Sequence, residues 1–374
     1  MRMLVGTPLC AADVILHPII CIVVSPLLLT FMYEQHLFAA VVWTLGWFVL
    51  STAWIARRRP DGCRHCVVVT GAASGIGLST TKHLVQQHGD LVFALDASSA
   101  GLAALERWAA DTNYATSVKC IHCDVASTAS VDAAATSIRQ VLASRPNEEG
   151  IHCLVNLAGV FCCGPLAELD PELLQRILNI NTVGPQRVTR AFFPLFRQSG
   201  MSATTSGSHT TTPLRRRTRA RIINVASELS LARLSPPLTA PYAMSKWGVE
   251  AISMALRLEL AVLSSDPIHV ITLQPGPIRT ELATSQTAVT AAAHAKRDGG
   301  SLWTEYLGKL VKRSTTYMAR FGAPPEHAGA TIAAIVHAIV PADRTSFNVS
   351  PAMRLLAWIP QAMIDAIIVK MMAT

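Results

Sequence analysis

The chain has 374 residues, a length that predicts one core of roughly 250 residues with appendages rather than two full domains. Hydrophobic residues make up 51% of the chain, charged residues make up 15%, and the net charge is +8. Eight arginines lie in two clusters, at 57–59 and 215–221, and their number equals the net positive charge. Because the excess positive charge is confined to these two clusters, the sequence predicts no nucleic-acid-binding face.

Nine cysteines without a disulfide-like framework indicate a reducing compartment. Two pairs, Cys63/Cys66 and Cys120/Cys123, have the spacing with which two Cys-x-x-Cys units close a zinc site. If Cys66 enters the first strand and Cys120 lies in the third, a doubly wound order places the second strand between them. The two pairs then cannot converge, and the sequence predicts no metal site.

Two apolar runs lie near the start of the sequence, at 14–33 and 37–56, and each is long enough to span a hydrocarbon core. A cleaved secretory signal is the alternative, but the apolar length exceeds that of an h-region and the basic residues follow it. We therefore expect residues 1–60 to be a membrane anchor of one or two transmembrane helices. The arginines at 57–59 favour a cytosolic location for the domain that follows them. The endoplasmic reticulum is the expected membrane, although the chain carries no readable address motif.

Strand-like and helix-like segments alternate from residue 66 onwards. The expected strands are 66–70, 91–96, 117–124, 153–156, 221–227 and 269–275, and the main helices are 75–88, 127–144, 171–197 and 241–264. This alternation predicts a doubly wound, Rossmann-type α/β fold over residues 63–350, with a parallel sheet and ligands beyond the carboxyl ends of its strands. Residues 199–220 interrupt it and are expected to be a disordered insertion, for which contact with anionic lipid stays open.

The segment VVVTGAASGIG, residues 67–77, predicts a strand, a tight loop and a helix. Gly71 permits the turn, Gly75 lets a pyrophosphate approach the backbone, and Gly77 lets the helix pack closely. The helix N-terminus supplies partly positive N–H groups, so the segment is typical of an anion cradle. An ordinary turn is the alternative for the glycines taken alone.

Two carboxylates follow the second and third expected strands. Asp96 is placed to accept hydrogen bonds from both ribose hydroxyls of an adenosine, and it would repel a 2′-phosphate. No arginine or lysine lies among residues 71–81 or 94–100, so the sequence favours NAD over NADP. Asp124 is placed to reach the adenine. Each carboxylate is also compatible with capping the helix that follows it.

Tyr242 and Lys246 are separated by one helical turn, so their side chains share a face of the helix. A free tyrosine has a pKa of about 10, and a neighbouring ammonium favours its phenolate. The pair therefore predicts a general base whose pKa is lowered by the lysine.

With NLAG at 156–159, Asn181 in NINTVG, Ser227 and QPGPIRT at 274–280, the chain resembles the short-chain dehydrogenase/reductase family over about residues 63–340. The resemblance implies that Tyr242 is the proton acceptor and that Lys246 holds the nicotinamide ribose. It implies that Ser227 fixes the substrate oxygen, that Asn181 orders a proton-relay water, and that Thr280 contacts the carboxamide. The cofactor-binding residues that it implies are Gly71, Ser74, Gly75, Ile76, Gly77, Asp96, Asp124, Val125, Asn156, Ala158, Gly159, Tyr242, Lys246, Pro275, Gly276, Ile278 and Thr280.

Two positions depart from the family pattern: Leu157 replaces a second asparagine, and Ala226 replaces a frequent serine. We expect Leu157 to affect sheet packing more than chemistry. A narrower resemblance lies in residues 242–260 and 357–369, which are similar to the membrane-bound retinol and hydroxysteroid dehydrogenases. Residues 351–374 are expected to form an apolar helix that caps the substrate cleft or lies in the membrane interface.

These features predict an NAD-dependent oxidoreductase that interconverts a lipophilic alcohol, such as a steroid, a retinoid or another hydroxy-lipid, with its ketone or aldehyde. Apolar and aromatic residues between 281 and 322 support a lipophilic substrate. Membrane lipid is the second expected partner, and a homodimer is left open. An NADPH-dependent ketone reductase of lipid biosynthesis is the alternative enzyme. A membrane-tethered NAD-binding scaffold without turnover is the alternative from a different class.

Overall fold

The structure is a computed structural model that describes residues 64–145, 150–196, 220–231, 235–263, 268–280, 282, 304–338 and 344–347. All of them belong to the second of two compact units into which the chain divides, Arg58–Thr374. The predicted membrane segments, residues 199–219 of the insertion and the predicted C-terminal helix lie outside the described residues. Within the described ranges, no helix has both the length and the apolar character needed to cross a membrane.

Strands and helices alternate through the described residues. The strands are β1 Cys66–Thr70, β2 Leu91–Asp96, β3 Val118–His122, β4 Cys153–Asn156, β5 Arg221–Val225, β6 His269–Pro275 and β7 Arg344–Phe347. The α-helices are α1 Gly75–His88, α2 Ser99–Asp111, α3 Thr128–Ala143, α4 Pro171–Leu178, α5 Gly184–Phe192, α6 Glu228–Leu231, α7 Ala240–Leu263, α8 Thr304–Phe321 and α9 Pro325–Val336.

The seven strands form one sheet in the order β3-β2-β1-β4-β5-β6-β7, and every neighbouring pair is parallel. The predicted Rossmann-type parallel sheet is therefore confirmed. Strand β2 lies between β1 and β3, so Cys66 and Cys120 stand on strands that are not neighbours, as the argument against a zinc site assumed. Cys63 lies outside the described residues. The six cysteines that the structure describes are free thiols.

The helix expected over 171–197 is divided in the structure. Between α4 and α5 lies a π-helical turn, Asn179–Val183, and a 3-10 turn, Phe193–Leu195, follows α5. Pro185 explains the interruption, because it has no N–H to donate to the carbonyl of Asn181 four residues before it. Such turns frequently mark functional sites, and this one carries Asn181.

The central strands are buried on both faces, as expected when helices cover both sides of a parallel sheet. All five residues of β1 and all five of β5 are buried. Arg221, which the sequence groups with the basic cluster at 215–221, is only 1% exposed. Its Nη1 donates to the carbonyl of Ile335 at 2.8 Å and to that of Val336, and its Nη2 donates to that of Ala338. The guanidinium thus satisfies carbonyls at the C-terminus of α9 and joins that helix to the sheet.

Candidate active site

The residues predicted for the site gather at the carboxyl-terminal edge of the sheet. The glycine loop follows β1, Asp96 ends β2, and residues 124–125 follow β3. Residues 156–159 end and follow β4, Ser227 follows β5, and residues 275–280 end and follow β6. This edge is where ligands bind in doubly wound folds.

The glycine loop lies directly against the loop after β4. Gly71 has a φ of +68°, and a Cβ added there would lie 2.9 Å from the Cα of Ala158. A Cβ on Gly77 would lie 2.0 Å from the carbonyl oxygen of Gly71, so this glycine permits close packing on the loop itself. Ser74, the N-cap residue of α1, makes no capping hydrogen bond through its side chain, and the first turn holds no acidic residue. The positive end of α1 is thus left open to an anion.

Asp96 joins the end of β2 to the glycine loop. Its Oδ2 accepts from the backbone N–H of Ala73 at 2.9 Å, and its Oδ1 accepts from the backbone N–H of Ser98 at 2.9 Å. Ser98 itself is the N-cap of α2, and its hydroxyl accepts from Gly101 N–H at 3.1 Å. Because each carboxylate oxygen accepts more than one hydrogen bond, Asp96 retains capacity for a ribose.

An arginine that sequence reasoning missed holds the loop after β3. Arg187 donates from Nη1 to the carbonyl of Val125, and from Nη2 to Oδ1 of Asn179 at 2.8 Å. Asn179 Nδ2 in turn donates to the carbonyl of Ala126 at 3.3 Å. Asp124 accepts from Ala126 N–H through Oδ1 at 2.9 Å. Asn179 of the π-helical turn and Arg187 of α5 therefore fix the segment that carries Asp124 and Val125.

The first residues after β4 are held by Thr70, at the end of β1. Its hydroxyl oxygen accepts from the backbone N–H groups of Leu157 and Ala158, both at 3.1 Å. Asn156 uses its side chain within the sheet, where Nδ2 donates to Oδ1 of Asn224 at 2.8 Å. The backbone at Leu157 is thus positioned without a side-chain hydrogen bond of its own.

The segment after β6 contacts the glycine loop. Thr280 Cγ2 would lie 3.2 Å from a Cβ added at Gly75. Arg279 N–H donates to the carbonyl of Ala323 at 2.8 Å, and Ala323 N–H donates to that of Pro277 at 2.9 Å. Ile278 and Ala323 form a parallel bridge, which places the segment between the end of α8 and the glycine loop.

Ser227, Tyr242 and Lys246 come together beside Gly159. The Ser227 side chain hydrogen-bonds the Tyr242 phenol. The Lys246 ammonium lies 5.7 Å from the centroid of the Tyr242 ring and donates to the carbonyl of Val225 at 2.9 Å. A Cβ added at Gly159 would lie 3.2 Å from Oδ1 of Asn181, closer than an ordinary contact, and 3.6 Å from Lys246 Nζ, so Gly159 packs directly against both side chains.

The expected lowering of the tyrosine pKa by the lysine is not found. Burial raises the pKa of Tyr242 to about 12, the hydrogen bond from Ser227 lowers it, and the carboxylate of Glu228 raises it. Burial also lowers the pKa of Lys246 to about 8. The physical reason is that α7 carries both groups into the interior, where desolvation disfavours each charged form.

Asn181 clamps the loop after β4 to α7. Its Oδ1 accepts from Val160 N–H at 2.8 Å, while its Nδ2 donates to the carbonyl of Val160 at 2.8 Å and to Oγ of Ser245 at 3.0 Å. The side chain is 1% exposed. The observed contacts give the Asn181 amide a positioning role, and the relay water that the resemblance implies stays a prediction.

A model of the short chain dehydrogenase family matches residues 65–290, which include the glycine loop and the Ser227, Tyr242 and Lys246 cluster. The chain belongs to the short chain dehydrogenase family. Its relatives include human retinol dehydrogenase 5, 29% identical over 281 residues that cover 72% of this chain and 77% of the relative. A 3beta-hydroxysteroid dehydrogenase of Caenorhabditis elegans is 29% identical over 68% of this chain and 58% of the relative. Both findings confirm the predicted resemblance to retinol and hydroxysteroid dehydrogenases.

Another relative of this short chain dehydrogenase is the mitochondrial D-beta-hydroxybutyrate dehydrogenase of Rattus norvegicus, 31% identical over 214 residues that cover 56% of this chain. The chain spans about half, 53%, of that relative's length. Among solved structures, a short chain dehydrogenase/reductase from Burkholderia phymatum in complex with NAD has a TM-score of 0.61 at 20% identity, covering 82% of this chain and 96% of that one. This likeness confirms the fold.

Proposed function

We propose that this protein is an NAD-dependent oxidoreductase that interconverts a lipophilic alcohol with its ketone or aldehyde. The observation that carries the proposal is the cluster of Ser227, Tyr242 and Lys246 at the carboxyl edge of the sheet, beside a glycine loop shaped for a pyrophosphate. A phenol hydrogen-bonded to a hydroxyl and backed by an ammonium is suited to proton exchange with an alcohol oxygen.

The residues present fit a nicotinamide dinucleotide. The first turn of α1 has no acidic residue and no side-chain cap, which suits a pyrophosphate, and Asp96 suits an unphosphorylated adenosine ribose. Lys246 would hold the second ribose, since its ammonium has three donors and Val225 takes one. NAD, when bound, supplies the acceptor for the hydride of the alcohol carbon and a positive charge that favours the phenolate.

Tyr242 is the residue that exchanges the proton with the substrate. In alcohol oxidation its phenolate oxygen accepts the hydroxyl proton, while the Ser227 hydroxyl hydrogen-bonds the same substrate oxygen and stabilises its developing charge. In ketone reduction the phenol returns that proton. Because burial raises the pKa of Tyr242 to about 12, the phenol is protonated at neutral pH, and alcohol oxidation, which needs the phenolate, is expected to accelerate as the pH rises.

An apolar wall beside Tyr242 supports a lipophilic substrate. The ring centroids of Phe161 and Tyr242 lie 4.9 Å apart, and Phe161 packs against the buried side chains of Cys163 and Leu238. Such a wall excludes water from the reacting oxygen and favours hydrocarbon. The names of the retinol and hydroxysteroid dehydrogenases among the relatives indicate alcohols of this kind, whereas those of the D-beta-hydroxybutyrate dehydrogenases indicate a small hydroxy acid.

Turnover tests the proposal directly. The purified full chain in detergent is given NAD or NADP with retinol, steroids, 3-hydroxybutyrate and aliphatic alcohols, and NADH or NADPH formation is followed by absorbance. Tyr242→Phe should reduce turnover by at least about a hundredfold, because it removes the group that exchanges the proton. Tyr114→Phe, the same change beside Trp108 outside the site, is the matched control. Activity of Tyr242→Phe within tenfold of wild type contradicts the mechanism, and turnover of only small soluble alcohols contradicts the lipophilic substrate.

The name of one relative supports the alternative of an NADPH-dependent ketone reductase. A monensin polyketide synthase putative ketoacyl reductase of Streptomyces virginiae is 32% identical over 70% of this chain. A preference for NADPH in the same kinetic comparison would favour that alternative. If the protein binds NAD but oxidises no alcohol, and Tyr242→Phe binds NAD with the same affinity, the result would favour the alternative of a membrane-tethered NAD-binding scaffold without turnover.

The proposal places the enzyme on a membrane of the endoplasmic reticulum, with its catalytic domain in the cytosol. Its support is the pair of apolar runs at 14–33 and 37–56 and the three arginines that follow them. On α8 a shallow groove combines basic and aromatic side chains suited to anionic lipid: Lys309, Lys312, Thr316, Tyr317, Arg320 and Phe321. Protease added to sealed microsomes should digest the chain beyond residue 60, and full protection would reverse the orientation.

The proposal also includes a homodimer formed through α7. Its exposed apolar side chains recur at helical spacing: Trp247, Met254, Leu258 and Val262. Leu258 is 61% exposed and Val262 is 86% exposed. In a symmetric dimer, the apolar stripe of one α7 would pack against the same stripe of the second copy.

A further inference from the structure

A carboxylate that the mechanism does not use stands next to the catalytic serine. Glu228 is the first residue of α6 and directly follows Ser227. Its Oε2 is buried and finds no hydrogen-bond partner among the residues that the structure describes. Burial raises the pKa of the Glu228 carboxyl to about 7. A buried carboxylate without a donor is costly, so its presence beside the reacting group calls for an explanation.

The turn that carries Glu228 is fixed on both sides. The single hydroxyl hydrogen of Ser230 lies between two acceptors, the carbonyl of Ser227 at 2.6 Å from Oγ and Oε1 of Glu250 at 2.9 Å. Leu229 N–H donates to Oγ of Ser227 at 3.3 Å, and the carbonyl of Leu229 accepts from Nε1 of Trp247 at 3.1 Å. The backbone of Glu228 therefore cannot move outward without breaking these hydrogen bonds.

Among the described residues, the elements packed against α6 give Oε2 of Glu228 no hydrogen-bond donor. On α7 the facing groups are the Tyr242 phenol, the Lys246 ammonium and the Glu250 carboxylate. The ammonium donates to the carbonyl of Val225, and Glu250 is engaged by Ser230 and by Gln274, the neutral group that β6 supplies. The Glu228 carboxylate acts on Tyr242, whose pKa it raises. Glu228 thus borders the place where Ser227 and Tyr242 hold the substrate oxygen.

Building on the proposed function, we propose that Glu228 determines specificity by accepting a hydrogen bond from a second donor on the substrate. Since Ser227 and Tyr242 already bind the reacting oxygen, this donor is a hydroxyl or protonated amine on a neighbouring carbon. The preferred substrate class is therefore a lipophilic vicinal diol or amino alcohol. By the same electrostatics, a carboxylate at that place is repelled.

Three probes of equal chain length separate these effects: 2-decanol, 2-amino-3-decanol and 3-hydroxydecanoate. The full chain in detergent is assayed with NAD at pH 8, where the Glu228 carboxyl is mostly ionised. A hydrogen bond to a charged group corresponds to about a ten- to hundredfold effect, so the preference of wild type for 2-amino-3-decanol over 2-decanol in kcat/KM should fall by that factor in Glu228→Gln. The kcat/KM for 3-hydroxydecanoate should rise in the same variant.

Glu106→Gln makes the same change at an exposed position of α2 and should leave all three values at wild-type level. NADH affinity, followed by fluorescence, should be unchanged in Glu228→Gln, which shows that the cofactor site is intact. Glu228→Ala serves as the second variant if the glutamine side chain disturbs folding, and it should lose the same preference.

The outcomes separate this inference from the function on which it rests. In one outcome, wild type oxidises 2-decanol and prefers 2-amino-3-decanol, and both folded Glu228 variants keep that preference within about threefold. This outcome overturns the role of Glu228 but leaves the proposed function standing. Binding of NAD without oxidation of any of the probes by wild type contradicts the proposed function, and the role of Glu228 falls with it.

Discussion

The carboxylate of Asp96, at the end of β2, accepts a hydrogen bond from the backbone N–H of Ala73 in the glycine loop at 2.9 Å. One side chain therefore serves two purposes at the adenosine side of the site. It fixes the glycine loop, and in the proposed NAD site it places a negative charge where a 2′-phosphate would have to lie. Under the proposed function, Asp96 thus links the shape of the glycine loop to the choice of cofactor.

This coupling predicts different results for two substitutions of Asp96. Asp96→Asn keeps an oxygen that accepts from Ala73 but removes the charge, so we expect the preference for NAD over NADP in kcat/KM to fall at least about tenfold. Asp96→Ala also removes the acceptor and should weaken both cofactors. Steady-state kinetics with both cofactors measure the preference. A preference for NADP in wild type, or an unchanged ratio in Asp96→Asn, would contradict the role of the charge.

Gly77→Ala tests the close packing of the glycine loop. The new Cβ would lie 2.0 Å from the carbonyl oxygen of Gly71, so the loop must shift, and NAD affinity should fall at least about tenfold. Gly308→Ala is the matched control, because no atom outside the neighbouring helix backbone lies within 4 Å of its added Cβ. That variant should bind NAD normally and gain up to about 1 kcal/mol in the free energy of unfolding. Normal NAD binding by Gly77→Ala would contradict the observed packing.

Burial of Glu228 predicts a dependence of stability on pH. Its carboxyl pKa rises from 4.5 to about 7 on folding, so between these values the native state binds more protons than the unfolded state. The free energy of unfolding should therefore fall as the pH rises through this window, by at most about 3 kcal/mol.

Glu228→Gln lacks this titration. The free energy of unfolding, measured in urea, should therefore increase for Glu228→Gln relative to wild type when the pH is raised from 5 to 8. Glu106→Gln, at an exposed position, should have the same free energy of unfolding as wild type at pH 5 and at pH 8. A difference between Glu228→Gln and wild type that stays constant with pH would show that the carboxyl is not desolvated.

The exposed stripe on α7 predicts the result of placing a charge in it. Leu258→Glu should dissociate the proposed homodimer, because a carboxylate would have to be buried without a partner. Glu259→Ala changes a neighbouring exposed residue on another side of the helix and should leave the dimer intact. Sedimentation of the detergent-solubilised chain measures the mass. A monomeric wild type at micromolar concentration would contradict the dimer.

Much of the fold and of the site was determined by local sequence patterns. Alternating β-branched runs and helical segments predicted six of the seven strands of the parallel sheet. The glycine spacing predicted the turn after β1, and the four-residue spacing of Tyr242 and Lys246 predicted that they share a helix face. Each of these inferences needs only the periodicity of a helix or strand or the backbone freedom of glycine, and both act over a few residues.

Only the tertiary structure decided the properties that depend on burial and on distant partners. Arg187 holds the loop after β3 through a residue 62 positions away, and Arg221 is buried against a carbonyl 114 positions away. The pKa of Tyr242 is raised rather than lowered, and Oε2 of Glu228 is left without a donor among the described residues, because several elements together remove these groups from water. Desolvation depends on everything that surrounds a group in space, and no short stretch of sequence specifies that surrounding.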